Sequence, residues 1–348
     1  MVDWSGARRP SWRFELLDRH DVPLDDLDGV SACKIELAAL SRLGGSGSLT
    51  LTERGQSVDW LSHRVRVLYD PGIDGAASWP VATMLLSSPA ERRRGGRSWF
   101  EVTLLTKLAV IDEDAVEGSF SLPAGSPLVA TAVNLIRSTG EVRIAATPSS
   151  AVSANPLMWE AGTSKLTIVN DLLTAAEYWS LWVDGSGQFR VEPYRAPSER
   201  PVAFEFAAGV NSIHRPDWTR EQDLSSVPNR FVVVGQGSDD EPALVGIATN
   251  EDPSSPFSFQ ARGRWVSRTE EGVEGEDQAV FDRLAQRRLL DAMSPVGKIT
   301  VEHAIVPLNP NDVVRFRPLG RGATDCTVLR MEYGFGASAH CQAEWREI

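Results

Sequence analysis

Between residues 11 and 110 apolar and polar residues alternate in short runs, each broken by glycine, proline or acid-rich turns. Alternation with a period of two places every second side chain on one face, so these runs specify half-buried strands. The runs are Trp12–Leu17, Val30–Leu40 with Cys33, Ile35 and Leu37 on one face, Leu49–Thr52, Val65–Tyr69, Val81–Ser87 and Ser98–Thr106. Asp18–Asp28 between the first two is acidic and turn-rich, and Gly44–Ser48 is a flexible turn. Many short strands with this punctuation predict a sandwich or a small barrel.

The pattern changes after the acidic linker Asp112–Gly118. Ser126 and Pro127 read as the N-cap and first position of a helix whose apolar face is Leu128, Ala132, Leu135 and Ile136, ending near Gly140. Thr147–Met158 is rich in Ser, Ala and Pro and reads as an exposed loop. Ser164–Tyr178 reads as a second helix, with Leu166, Val169, Leu172, Leu173 and Ala176 on one side. Trp179–Tyr194 reads as a β-hairpin turning at Asp184–Gly185.

Strands return from Val202. Pro228–Gly235 is a buried strand, Asp239, Asp240 and Glu241 form an acidic loop, Leu244–Thr249 is a strand, and 250–270 is an inserted surface excursion. Glu276–Met293 then carries Phe281, Leu284, Ala285, Leu289 and Ala292 at helical spacing. Glu276 and Asp277 stand at its start, and Pro295 and Gly297 follow it. Lys298–Val306, a turn over Pro307–Asp312, Val313–Phe316, Asp325–Tyr333 and Ala339–Glu347 complete the chain. The predicted class is α+β, mainly β. Two β-barrel-like domains, 1–118 and 202–348 (the latter with helix 276–293 inserted), flank a helix–helix–hairpin domain at 119–201.

A length of 348 residues suits two or three domains. The net charge of −12 disfavours a nucleic-acid grip, which needs a basic footprint, but suits a wall past which DNA slides. No run is long and apolar enough for a membrane span, and the N-terminus carries no basic segment leading into an apolar one, so synthesis in a cytoplasm is the expectation. Cys33, Cys326 and Cys341 have no metal-ligand spacing and read as small buried thiols. His20, His63, His214, His303 and His340 are scattered. Asp25, Asp26 and Asp28 lack the calcium-loop glycine, and Asp112, Glu113 and Asp114 invite the same reading as a solvated turn. No spacing selects Glu160, Asp171 or Glu177 as a catalytic carboxylate. Gly44–Gly47 and Gly185–Gly187 lead into strands, not into the helix a nucleophile elbow requires, and Gly235–Gly237 is too short for a dinucleotide fingerprint. Arg92, Arg93, Arg94 and Arg97 form the one basic cluster, read as a solvated hairpin tip with an acidic partner surface as the alternative. Trp179 and Trp182 read as packing beside a hairpin, with sugar stacking as the alternative. The expectation is therefore no catalytic, cofactor or metal residues, no cofactor, and no enzyme activity.

Two stretches resemble phage central tail hub proteins (baseplate hub, late control D-like), a type found among minor tail proteins of actinobacterial siphophages. The first is Ile168–Pro201, with Asn170-Asp171-Leu172-Leu173, Tyr178-Trp179-Ser180-Leu181-Trp182, Asp184-Gly185-Ser186-Gly187 and Arg190-Val191-Glu192-Pro193-Tyr194. The second joins Asn229–Gly235 to the helix and the Pro307-Leu308-Asn309-Pro310 turn before Asp312-Val313-Val314. The resemblance covers roughly residues 160–320. It implies a virion structural protein at the tail tip, a homotrimer whose two barrel-like domains per chain make a pseudo-sixfold ring around the DNA channel. It implies as partners a hexameric tail tube or distal tail protein, the tape measure protein and other tip or receptor-binding proteins. The alternatives are a carbohydrate- or receptor-binding tail module, a neighbouring distal tail protein and a tail-associated cell-wall hydrolase.

Overall fold

A computed structural model describes residues 2–52, 56–222, 224–235, 243–273, 278–293 and 297–348. The expected acidic loop 239–241, the acidic pair 276–277 and Pro295 lie outside them, as does most of Gly235–Gly237. The first strands are β1 (Ser11–Leu17), β2 (Pro23–Asp26), β3 (Val30–Ala38), β4 (Gly45–Thr52), β5 (Arg64–Asp70), β6 (Trp79–Arg94) and β7 (Arg97–Thr106), followed by a short helix α1 (Leu108–Glu113). The middle of the chain holds β8 (Phe120–Leu122), α2 (Leu128–Ser138), β9 (Ile144–Ala146), β10 (Leu157–Trp159), α3 (Lys165–Ala175), β11 (Trp182–Val183) and β12 (Phe189–Val191). The remainder holds β13 (Val202–Ala207), β14 (His214–Glu221), β15 (Arg230–Gly235), β16 (Val245–Thr249), α4 (Phe259–Arg262), β17 (Ser267–Val273), α5 (Gln278–Ala292), β18 (Lys298–His303), β19 (Val313–Arg317), β20 (Thr324–Tyr333) and β21 (Cys341–Glu347).

The class is α+β and mainly β, as the alternation predicts. The two separate barrels are not present: the sheets do not close. Instead one sheet of 13 strands runs β14-β18-β21-β20-β3-β4-β7-β6-β5-β1-β2, with β19 beside β20 and β13 parallel to β19. The reason lies in β20. Its first half pairs with β19, from Thr324↔Phe316 to Thr327↔Val313. Its second half pairs with β3, from Arg330↔Ala38 to Tyr333↔Ile35. A single long strand thus stitches the N-terminal and C-terminal strand sets together, and alternation within each set cannot signal that pairing. The two strands that end this path each carry a proline, Pro23 in β2 and Pro216 in β14, among charged residues, a composition that blunts free edges.

By contact density residues 1–219 with 300–348 form one compact unit and 220–299 a second. In the larger unit α2 and α3 bury Leu128, Ala132, Ile136, Leu166, Val169 and Leu173 against Leu181, Phe189 and Val191 of the hairpin β11–β12. Ser164 caps α3, its hydroxyl accepting from Thr167 N–H at 3.2 Å. Ser126 is not the cap expected of it: α2 begins at Leu128 after Pro127, and the Ser126 hydroxyl donates to the Pro123 carbonyl. The parallel pairing of β9 with β12 and the helix α1 carry no periodic signal of their own and escape a pattern-based reading.

In the smaller unit β15 is flanked by antiparallel β16 and parallel β17. Helix α5 lays Phe281, Ala285 and Leu289 on Phe231, Val233 and Ala248. The helix read at 276–293 is thus a packed element of this three-stranded sheet. The excursion expected at 250–270 contains α4 and the start of β17.

Candidate functional site

The sequence-level candidates do not converge. Asp25 and Asp26 lie on the exposed strand β2, with Asp28 exposed just beyond it. Asp112 accepts from Arg42 and Ser164, and the Arg42 guanidinium holds its carboxyl below the usual range; Asp114 accepts from Lys165 at 2.6 Å. These carboxylates tie α1 to the β3–β4 turn and to α3. Asp171 accepts from the Trp159 indole at 2.8 Å, and Glu160 and Glu177 are exposed. The Arg92–Arg97 segment is an exposed hairpin tip turning at Gly95–Gly96 (φ 57° and 77°). Among the described residues no three His, Cys, Asp or Glu side chains are placed to hold a metal ion, and no helix is long and apolar enough to cross a membrane.

His214 and His303 are buried, in an aromatic cluster with Phe206, Phe316 and Trp345. Each turns Nδ1 to the carbonyl of the next residue, Arg215 at 2.7 Å and Ala304 at 2.9 Å. Burial pushes the His303 imidazole down to about 4, so it is neutral at pH 7. Cys326 and Cys341 are buried and Cys33 is half-buried, its thiol raised to about 12 by burial. Such thiols are inert packing.

Two arrangements do bring functional groups together. The first is a buried ionic square that no sequence spacing announces. The Lys107 ammonium lies 2.6 Å from Asp21 Oδ2, 2.9 Å from Glu141 Oε2 and 2.7 Å from the Gly187 carbonyl, which accepts from it. Arg64 donates to Asp21 Oδ1 at 2.9 Å and to Glu141 Oε1 at 2.5 Å. Each cation touches both carboxylates, so the charges cancel within the square. Lys107 is fully buried, 4.8 Å from the Phe189 ring centroid. The square ties the β1–β2 turn, β5 and the end of β7 to the loop after α2 and to the hairpin turn. That turn is folded by Asp184, whose Oδ1 accepts from Ser186 N–H and Gln188 N–H, both at 3.0 Å. It sits directly on β6: a Cβ on Gly185 would lie 2.1 Å from the Pro80 carbonyl oxygen.

The second arrangement is a groove beside the same hairpin. Two cavities of about 360 and 420 Å³ lie beside each other as a groove, with Trp179, Trp182, Pro310 and Asn311 lining both. Trp179 packs on Tyr194 at 4.5 Å, and the Arg200 guanidinium lies 5.2 Å from its ring centroid. Arg200 Nη1 donates to the Asn311 carbonyl, while its buried Nε has no acceptor. Asp312 also lines the groove, and burial raises its carboxyl above the ordinary value. Its lining mixes the Trp179 and Trp182 rings with two acids, Glu192 and Asp312, two arginines, Arg195 and Arg200, and the Asn311 amide.

No family model matches the sequence, and no curated protein matches it. The fold, by contrast, has close counterparts among solved structures. A tail protein from Neisseria meningitidis matches over 97% of both chains with a TM-score of 0.68 at 11% identity. The 43 kDa tail protein of prophage MuSo2 from Shewanella oneidensis matches over 97% of this chain and 98% of its own, with a TM-score of 0.63 at 12% identity. An E. coli component of the type VI secretion system, described as structurally similar to T4 bacteriophage tail proteins gp27 and gp5, matches over 92% of this chain and 73% of its own, with a TM-score of 0.52 at 7% identity. The chain therefore has the fold of phage tail proteins.

Proposed function

We propose that this chain is a structural protein of a bacteriophage tail tip. In this reading it is a homotrimeric hub that joins the hexameric tail tube or distal tail ring to the tip. It surrounds the channel through which DNA passes without being bound. The observation that carries the reading is a fold shared over nearly the whole of both chains with phage and prophage tail proteins. At 11–12% identity that likeness gives the fold, and the hub role comes from the resemblance of Ile168–Pro201 and the Asn229–Asp312 region to central tail hubs. The net charge of −12 fits a lumen that repels phosphate.

The proposed partners are the tail tube or distal tail protein, the tape measure protein and other tip or receptor-binding proteins, in a virion whose parts are made in the host cytoplasm. Three parts, 1–118, 119–201 and 202–348, are the proposed organisation of the sequence, and the protein is not an enzyme. Native mass spectrometry of the purified chain, with a reconstruction of the tail tip, tests this reading. A trimer on a threefold axis next to a sixfold ring is expected. A protein monomeric at all concentrations, or absent from tails, refutes it.

A further inference from the structure

The groove beside the hairpin is balanced in charge. Glu192 and Asp312 stand with Arg195 and Arg200 in one cavity, and Asp184 stands with Arg42 in the other. Several of these groups are already engaged within the chain. Arg190 donates to Glu192 at 2.9 Å, Arg42 donates to Asp112 at 3.1 Å, and Asp312 and Arg200 attract one another. A lining of this kind gives no net attraction to an anion or to a cation, so its electrostatics favour a neutral ligand.

What the lining does offer is flat apolar surface with free hydrogen-bonding groups at its edge. Trp179 and Trp182 line both cavities and are half-buried. An arginine lies by each ring, Arg200 at 5.2 Å from the Trp179 centroid and Arg190 at 5.8 Å from that of Trp182. These neighbours restrict the rings before any ligand arrives, which lowers the cost of binding. Among the described residues neither indole N–H has a protein acceptor, and the Asn311 side-chain amide has no protein partner. An indole joins a large apolar face to a single donor, and an amide supplies donors and an acceptor together. A sugar ring needs both: its C–H faces are apolar and its edge is a set of hydroxyls.

The backbone under these groups is firmly held. Trp182 lies in the hairpin folded by Asp184. Asn311 lies in the turn before β19, with its N–H donating to the Val328 carbonyl at 2.8 Å and its own carbonyl accepting from Arg200. Both backbone groups of Asn311 are thus taken, and the side chain alone is free for a ligand. Its φ of 69° is a left-handed conformation that a residue with a side chain adopts at a cost, and such positions gather at ligand sites.

We propose that the Trp179/Trp182 groove binds a short neutral oligosaccharide, with a sugar ring stacked on Trp182 and hydroxyls hydrogen-bonded to the Asn311 amide. Cavities of about 360 and 420 Å³ are in the size range of small-molecule sites. The inference concerns one chain and does not rest on the hub reading.

The test is an array of neutral and anionic oligosaccharides probed with the full chain. Isothermal titration calorimetry follows, with the neutral oligosaccharide that the array retains most and with pentaglutamate as an acidic peptide. Trp182→Ala removes the platform. Asn311→Gly removes the amide and keeps a residue at ease with the positive φ. Circular dichroism checks that each variant folds, and Asn311→Gly decides if Trp182→Ala does not. Wild type is expected to bind neutral oligosaccharides in preference to anionic ones and to pentaglutamate. Affinity should fall roughly tenfold in Asn311→Gly and at least as much in Trp182→Ala. A wild type that retains no neutral oligosaccharide, a preference for pentaglutamate or anionic sugars, or an affinity unchanged in a folded variant overturns the proposal and leaves the hub reading untouched.

Discussion

Removing Lys107 from the ionic square is the sharpest test of what holds the larger unit together. Lys107→Met keeps the length of the side chain and its apolar stem but deletes the ammonium. Asp21 and Glu141, with side chains 1% and 5% exposed, then share only Arg64, and the Gly187 carbonyl loses a donor. Breaking a buried ion pair from one side costs about 3–5 kcal/mol, because the remaining charge stays desolvated without compensation. The stranded carbonyl adds about 1–3 kcal/mol if nothing else reaches it. A loss of about 4–8 kcal/mol is therefore expected in urea denaturation of the larger unit, the low end if another donor reaches the carbonyl, read as a lower midpoint at unchanged slope. Glu141→Gln in the same background should cost much less than it does in wild type, because the carboxylate it neutralises has already lost its lysine. A loss below about 1 kcal/mol for Lys107→Met, or strict additivity of the two changes, refutes the view that the square is a coupled unit.

His303 supplies the pH dependence. Its pKa in the folded chain, about 4, lies below the unfolded value, so the unfolded chain binds the proton first and stability falls as pH drops from about 6.5 toward 4. Denaturation midpoints at pH 7 and pH 5 should differ in wild type, and the difference should shrink in His303→Phe. Gly185→Ala puts a methyl against the Pro80 carbonyl oxygen and should cost about 1–3 kcal/mol, with near-ultraviolet circular dichroism reporting displacement of the Trp182 hairpin. A fragment ending at residue 201 lacks β20 and leaves the Ile35–Ala38 edge of β3 open. It should aggregate where the full chain stays soluble in sedimentation, and a soluble, folded fragment would show the N-terminal strands to be self-sufficient.

What the sequence discloses here is local, and what it hides is non-local. Alternation placed β1, β3–β7 and β18–β21 because each of these strands buries one face. Helical spacing placed α2, α3 and α5, and Asp184–Gly185 placed the hairpin. The pairing of β20 with β3 joins residues almost 300 positions apart (Arg330 and Glu36 meet at 2.7 Å), and no periodicity carries that information. Two β-rich ends therefore read as two closed bodies. The ionic square was hidden for the same reason. Asp21, Arg64, Lys107 and Glu141 each look like an ordinary surface charge in its own segment, and only the burial of all four in the fold reveals otherwise. A lysine at the junction of a strand and a helix, followed at once by Leu108 and Ala109, was the faint signal available. Trp179 and Trp182 were singled out as candidates, but Arg195 and Arg200 reach them through the fold after Tyr194 and were not.

The charged side chains among the described residues serve mainly to bind segments together. Arg42 with Asp112, Lys165 with Asp114, and the square at Lys107 bind segments of the larger unit to each other. Arg330 gathers Glu36 on β3, Glu332 on its own strand and Glu344 on β21, and Lys34 adds a second contact to Glu332. Arg330 thus fastens the strand that joins the two halves of the sheet at the place where they meet. A catalytic centre needs the opposite use of charge: groups held with unsatisfied valence toward a substrate, their pKa values pushed toward the working pH. Here Glu36 is held low by Arg330 and Asp112 by Arg42, each by a structural partner. Arg200 is held by the Asn311 carbonyl and the Trp179 face, with the Asp312 carboxylate of the same groove acting on it electrostatically.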